Sequence, residues 1–504
     1  MKRPSLKEVS LRMESPSVCG TSAFGGARGS EVVRKRFAAW LCAVGVLIGS
    51  AAAWGQTFTV VHTFPSSSPP GWYCRLLSTG GMLYGLGYGT YGYGSVFRIN
   101  ADGLGYTNLK SFTATQANGS GARTNSDGAT PLGGVILDGD TLYGTAQTGG
   151  LYGLGTVYSL KTNGTGFTVL RHFSGSDGKA PYAELVVVDG VLYGTTAAGG
   201  DFNKGTVFRL NTDGSDYRVF KSFAITNGLL PLSGLTFAGG VLYGTTYSGG
   251  ASNQGTVFSI HPDGSAFTTL KEFTGPDGAG PRFNLVVSGI SIYGTTDGGS
   301  DPSRSLVYQL STDGSNYTIL KAFSTPDPVS GTNQDGYFAQ SGLAVCGGTL
   351  FGATRWGGDY DSGVLFALRK DGSGYTVLRH FPALTGSSPF YNSDGAGPGP
   401  IMLSGDTLYG IAKSGGNAGA GTLFALNFAP RIQLDDNSSG RRTSDFGFSV
   451  AGYSNQIVTV ECCTGLPAAS WLPLETNTLG AGLVDFVDLS WTNYPRRFYR
   501  VRAQ

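Results

Sequence analysis

The sequence predicts an all-β fold: a seven-bladed β-propeller closed by an N-terminal strand, followed by a small β-sandwich-like domain. Three observations carry that expectation. Glycine supplies 82 of 504 residues, more than twice the usual ~7%, which argues against a large helical protein and for many tight turns. A unit of 50–59 residues recurs seven times. The N-terminal part of the chain then supplies the one strand that the last copy lacks.

Composition narrows the alternatives. Twenty-nine Phe, 25 Tyr and 6 Trp provide more apolar surface than a disordered chain carries, and Gly does not recur at every third residue as collagen requires. Residues 1–55 hold eight Lys or Arg and three acids, leaving 27 bases against 30 acids in the rest. No basic stripe of the kind nucleic acids require remains, so nucleic acid is not an expected partner.

Residues 1–55 read as a signal peptide with a long n-region. Arg34-Lys35-Arg36 precedes the apolar run from Phe37 to Ala53, and cleavage after Ala53 or Gly55 fits the small-residue pattern. Translation beginning at Met13 would shorten the n-region. The alternative is an uncleaved anchor, at the short limit for a membrane span. Membrane contact is expected only through this segment, and the remainder is expected to be secreted, extracellular or displayed at the cell surface.

Residues 56–429 hold the repeats. The aromatic of the LYG element falls at Tyr84, Tyr143, Tyr193, Tyr243, Tyr293, Phe351 and Tyr409. Within each copy, strand A is an apolar run such as Ala183 to Val188, strand B is VLYGTT, strand C is GTVFRL and strand D is YRVFKSF. Asp-Gly turns such as Asp213-Gly214 join C to D. Four antiparallel strands per period match a propeller blade. The last copy has no strand D, whereas the chain begins with a lone one, Phe58 to Phe64. Joining the two removes exposed sheet edges.

The pattern LYGTT..GG....GTVF.L..DGS.YT.L..F resembles the GloVer tandem repeat of secreted bacterial "choice-of-anchor" proteins over residues 57–427. Copy five departs from it, with Ser305-Leu306 in place of Gly-Thr. The resemblance implies an exported repeat protein joined to an attachment module. It implies no catalytic residues, because the family carries no settled activity.

Residues 430–504 form a separate segment with strands expected at 446–450, 456–461, 483–487 and 497–501. Its Arg497-Phe-Tyr-Arg500 ending is similar to a C-terminal module common on secreted bacterial proteins; Cys462-Cys463 is a departure from that pattern. A capping domain on the propeller is the alternative role. Adjacent cysteines point to opposite faces of a strand, and no disulfide is assigned to them.

Loop lengths indicate a functional face. The interval from the strand-D Phe to the next LYG aromatic is 20 residues in four copies but 31, 28 and 28 in the others. Insertions therefore fall in the D–A connections, which share a face with the B–C loops. Aromatic residues on that face suit a glycan or a protein ligand. The candidate ligand-binding residues are Trp356, Arg355, Tyr360, Tyr247, Phe202, Tyr88 and Tyr91, with Trp356 foremost. Tyr337, Phe338, Phe390 and Tyr391 of the insertions are further aromatics there.

Asp127, Asp177, Asp277 and Asp394 each open a D-G-x-x-P turn, with Asn227 in the equivalent place. Turn shaping is favoured over a Ca²⁺ site, and no cofactor or metal is expected. There is no GxSxG, HExxH, P-loop or EF-hand motif. The expected function is non-enzymatic binding; an extracellular lyase or glycosidase and a structural envelope protein are the alternatives.

Overall fold

The computed structural model describes residues 56–428 apart from positions 68, 72, 89–91, 328–332 and 387–389, and most strands of the following segment. The expected signal peptide lies outside the described residues, except for Met13–Glu14. Two compact units result: one spans Phe58–Leu426, the other Asn427–Gln504 together with Met1–Thr57.

The repeat unit is all-β. Among the described residues it contains seven four-stranded sheets, each in strand order A-B-C-D. Sheet three is representative, with Val186–Val188, Val191–Thr196, Thr206–Asn211 and Arg218–Ser222. Strand A is shorter than the sequence suggested, because Ala183 to Leu185 lead in from the preceding loop instead of pairing. In sheet seven, Asn392–Ser404, Thr407–Gly416 and Thr422–Asn427 are joined by Thr57–Thr63 as the fourth strand.

One backbone bond marks the C–D pairing in every sheet. The amide of Phe223 donates to the carbonyl of Gly205 at 2.9 Å, and Phe112, Phe173, Phe273, Phe323 and Phe381 repeat it. In sheet seven the same bond runs from Phe64 to Gly421 at 3.1 Å. The two ends of the repeat region thus make the contact that neighbouring strands make elsewhere.

Aromatic trios join each sheet to the next. The closing Phe of one strand D packs on the strand-C ring and the first strand-D ring of the following sheet, as in Phe223, Phe258 and Phe267. Phe381, Phe424 and Phe58 make the trio between sheets six and seven. Phe64, Phe97 and Tyr106 make it between sheets seven and one. Strand-D cations cover the same rings: Arg171 over Tyr217 at 4.1 Å, Lys221 over Phe267 at 4.1 Å and Arg379 over Phe58 at 4.7 Å.

The LYG glycine is explained by the strand-C aromatic. Gly194 pairs with Phe208 across the B–C ladder, and a Cβ on Gly194 would lie 2.6 Å from the Phe208 ring. The clash recurs at Gly85, Gly144, Gly244, Gly294, Gly352 and Gly410. Here glycine makes room for a ring instead of forming a turn. Gly194→Ala is expected to cost about 1–3 kcal/mol through overpacking, read as a lowered urea midpoint without a change in slope.

The segment after the repeats forms two sheets. One runs in the order Met13–Glu14, Arg496–Ala503, Ile457–Cys463, Leu472–Thr478; the other pairs Phe446–Ala451 with Arg431–Gln433, Gly440–Arg441 and Leu483–Asp488. Val450 and Phe486 from one sheet share a core with Val458, Val460, Cys462 and Tyr499 from the other. The Tyr499 hydroxyl donates to buried Asp488 at 2.7 Å, and Arg500 pairs with Glu461 at 2.6 Å. Cys462 and Cys463 are both buried.

Candidate functional site

The first strands of all seven sheets line one cavity of about 630 Å³. Leu77, Val135, Val186, Leu235, Val286, Val345 and Leu403 give it an aliphatic wall. The hydroxyls of Ser78 and Ser404 meet at 3.0 Å, linking the first strands of sheets one and seven. At one end a polar belt crosses the cavity: Arg75 donates to Glu184 at 3.0 Å, and Asn284 donates to the same carboxylate. The Gly234 amide donates to Asn284 at 2.8 Å, so sheets one, three, four and five are tied together there.

Above this belt the repeat diversifies. Four residues after the LYG aromatic the copies carry Tyr88, Gln147, Ala197, Tyr247, Asp297, Arg355 and Lys413. Eleven residues before it, the first six carry Tyr73, Leu132, Tyr182, Leu232, Arg282 and Gln340. These positions hold cations, an acid, tyrosines, amides and aliphatics. One set lies at the end of strand B or the start of the B–C loop and the other ends the D–A connections, so both lie on the face that the loop lengths indicated.

The side chains converge around Arg282. Its guanidinium lies 4.8 Å from the Tyr73 ring, 5.3 Å from Tyr247 and 5.9 Å from Tyr182. It approaches Asp297 at 3.8 Å, and its Nε finds no acceptor among the described residues. The rings of Tyr73 and Tyr182 are 5.5 Å apart. Lys413 donates to Gln340 at 3.3 Å and stands 5.0 Å from the Tyr73 ring. Between this ring of side chains and the belt is a small pocket of about 40 Å³, lined by Tyr73, Arg75, Tyr182, Glu184 and Arg282 among others.

Burial and like charge perturb the ionisable groups. Desolvation, reinforced by Arg355 and Arg282, brings the Lys413 amine down to about 7. Asp297 is raised to about 6 by burial, against the opposing pull of the Gly299 amide and Arg282. Burial and the neighbouring Tyr73 raise the Tyr88 phenol. Such shifts cluster where a site is built for a ligand or a reaction.

The structure sorts the sequence-predicted residues into two groups. Tyr88, Tyr247 and Arg355 belong to the central set, and Trp356 adjoins it, with the Arg355 guanidinium 4.9 Å from its ring. Trp356 also pairs with Tyr337 of an insertion. Phe202 and Tyr360 are 59% and 55% exposed at B–C loop tips. Those tips fold outward: the amides of Asp201 and Asp359 donate to Ser222 and His380 of the outer strand D. Phe202 and Tyr360 therefore stand on the outer rim, away from the central set. Tyr91 lies outside the described residues.

Arg282, Lys413, Asp297, Tyr73, Tyr182 and Gln340 were missed from sequence. Their signal was present as two repeat columns that change between charged, aromatic and aliphatic residues from copy to copy. Loop aromatics attracted attention instead, because a strand-end Lys or Arg looks like ordinary surface.

The turn aspartates have local partners. Asp127 accepts from Lys110 at 2.6 Å, Asp335 from Lys321 at 2.5 Å, and Asp177, Asp277 and Asp394 pair with Arg171, Lys271 and Arg379. Asn227 accepts from the Ala224 amide in the same turn at 2.9 Å. Among the described residues no three His, Cys, Asp or Glu side chains are grouped to hold a metal. The three long D–A connections share another device: Asn125, Asn333 and Asn392 each accept from a glycine amide three residues on and donate to carbonyls on both sides.

Residues 121–305 match the family model described as the Gloeobacter/Verrucomicrobia repeat. No curated protein matches the chain. Among solved structures it is similar to TolB from Acinetobacter baumannii (13% identity, TM-score 0.36, 57% of this chain and 60% of that one). It is also similar to YCF48 from Cyanidioschyzon merolae (10%, 0.44, 73% and 98%) and to an oligogalacturonate lyase in complex with manganese (12%, 0.45, 75% and 94%). TolB and YCF48 are β-propeller-like proteins, and the chain spans less than two thirds of the TolB chain.

Proposed function

From the premise that residues 121–305 carry the Gloeobacter/Verrucomicrobia repeat, we propose that this is an exported, non-enzymatic binding protein built on a closed seven-bladed propeller, and that it holds a glycan at the axial mouth. The seven Phe-to-strand-C bonds, including Phe64 to Gly421, support closure. Export rests on the basic cluster at Arg34-Lys35-Arg36 and the apolar run that follows it.

One observation carries the binding reading. Two repeat positions that hold cations, an acid and tyrosines in different copies bring those side chains together over the central cavity. A scaffold residue gains nothing from such variation, whereas a composite site needs each blade to contribute a different group. Tyrosine supplies flat apolar area with a polar tip at low entropic cost, which suits a sugar ring.

A glycan array probed with the wild-type protein and with Arg282→Ala tests this. Binding to a defined subset of glycans is expected, lost in the variant. Absence of binding to every glycan, or binding unchanged in the variant, overturns it. Tyr360→Ala on the outer rim is expected to leave binding within about twofold, since exposed positions away from an interface centre contribute little.

Lys413 favours a second reading, an extracellular carbohydrate-active enzyme. An amine near pKa 7 is suited to take up a proton at neutral pH. Depolymerisation of a polysaccharide library by the purified protein, abolished by Lys413→Met, would establish that reading in place of simple binding.

A further inference from the structure

Resting on the glycan reading of the mouth, we infer that the sugar bound there carries a carboxylate, as in a uronic acid, and that Arg282, Lys413 and Arg355 receive it. Three cationic side chains and one carboxylate, Asp297, occupy the two diversified positions. Asp297 approaches one of the cations at 3.8 Å, beyond hydrogen-bond reach. The Arg282 Nε is buried without an acceptor among the described residues, and a buried donor left unpaired costs free energy. The belt below is already satisfied, because Glu184 accepts from both Arg75 and Asn284.

The pocket beneath Arg282 is lined by Tyr73, Arg75, Tyr182 and Glu184 among others. The sugar's ring would lie over the rim, against Tyr73, Tyr182 and Tyr247, while its acid group points inward. Bidentate pairing of a carboxylate is the geometry that a guanidinium favours. An anion would also relieve the repulsion that Arg355 and Arg282 exert on Lys413.

The charged and titratable groups around Lys413 are Arg282, Arg355 and Asp297, with Tyr73, Tyr88, Tyr182 and Tyr247 on the surrounding strand ends. Its amine is largely neutral above pH 7, so binding an anion there requires proton uptake. Affinity for the acidic sugar should weaken as pH rises from 6 to 9, by up to about tenfold per unit. Asp297, near 6, changes charge at the acid end of that range and acts in the same direction.

The test is a calorimetric titration of the full chain with paired oligosaccharides, each uronic-acid-containing chain beside its carboxyl-reduced counterpart. Poly-glutamate forms a separate arm. The acidic member of at least one pair should bind about tenfold or more tighter than its reduced partner. Lys413→Met should remove the pH dependence, and Arg355→Gln should weaken the acidic member selectively, with melting temperatures confirming that both variants fold. Equal binding of both members overturns the carboxylate assignment and leaves the glycan reading intact. Binding of neither member, or of poly-glutamate alone, overturns both. An unchanged pH profile in Lys413→Met removes Lys413 from the anion site.

Discussion

Phe64→Ala should destabilise the repeat unit as severely as Phe223→Ala, by about 3–5 kcal/mol for each buried ring. Phe64 is 1% exposed and packs on Phe97 and Tyr106, just as Phe223 packs on Phe258 and Phe267. One residue sits at the edge of the chain's repeat region and the other in its middle. In an open array of sheets a terminal strand could fray at little cost, and Phe64→Ala would be nearly silent. In a closed ring both substitutions break an equivalent joint. Because whole domains are stable by only about 5–15 kcal/mol, either change should lower the urea midpoint visibly. Parallel denaturation curves for the two variants decide the matter.

The second large effect concerns the mouth. Arg282→Ala is expected to weaken glycan binding by about 30-fold or more, the range of a central hot spot at about 2 kcal/mol. Arg282 touches three tyrosine rings and faces Asp297, so its loss both removes a cation and loosens the surrounding aromatic walls. Trp356→Ala should have a smaller effect, since among the described residues Trp356 adjoins the set through Arg355. Equilibrium titrations of the two variants against the same oligosaccharide separate these roles. A larger loss in Trp356→Ala than in Arg282→Ala would move the site from the axis to the sheet-six loop.

Much of the architecture was legible because it is counted. The seven LYG elements, the seven strand-C elements and the lone strand from Phe58 to Phe64 are visible in one sequence, and the sheets follow them strand by strand. The glycine of the LYG element was visible too, but its reason was not. Seeing it required the cross-strand neighbour, Phe208 over Gly194. Turn aspartates were read correctly as local groups, although their pairing with strand-D cations such as Lys110 and Arg379 depends on a fold-back that spacing alone does not reveal.

The central set was only half legible. Loop lengths pointed to its face, Tyr88 and Tyr247 stood out as B–C loop aromatics, and Arg355 as the neighbour of Trp356. Arg282 and Lys413 escaped because they lie about 130 residues apart on different sheets and share only a spatial neighbour, Tyr73. Phe202 and Tyr360 drew attention as loop aromatics, but the backbone bonds of their loops to strand D carry them outward.

Hydrogen exchange of the wild-type chain, with and without the tightest-binding oligosaccharide from the array, tests most directly whether the diversified positions form one site. Protection is expected in the segments around residues 73, 88, 182, 247, 282, 355 and 413, all at the axial mouth. Protection confined to the loop tips around Phe202 and Tyr360, or to the C-terminal unit, with the mouth unchanged, would contradict it.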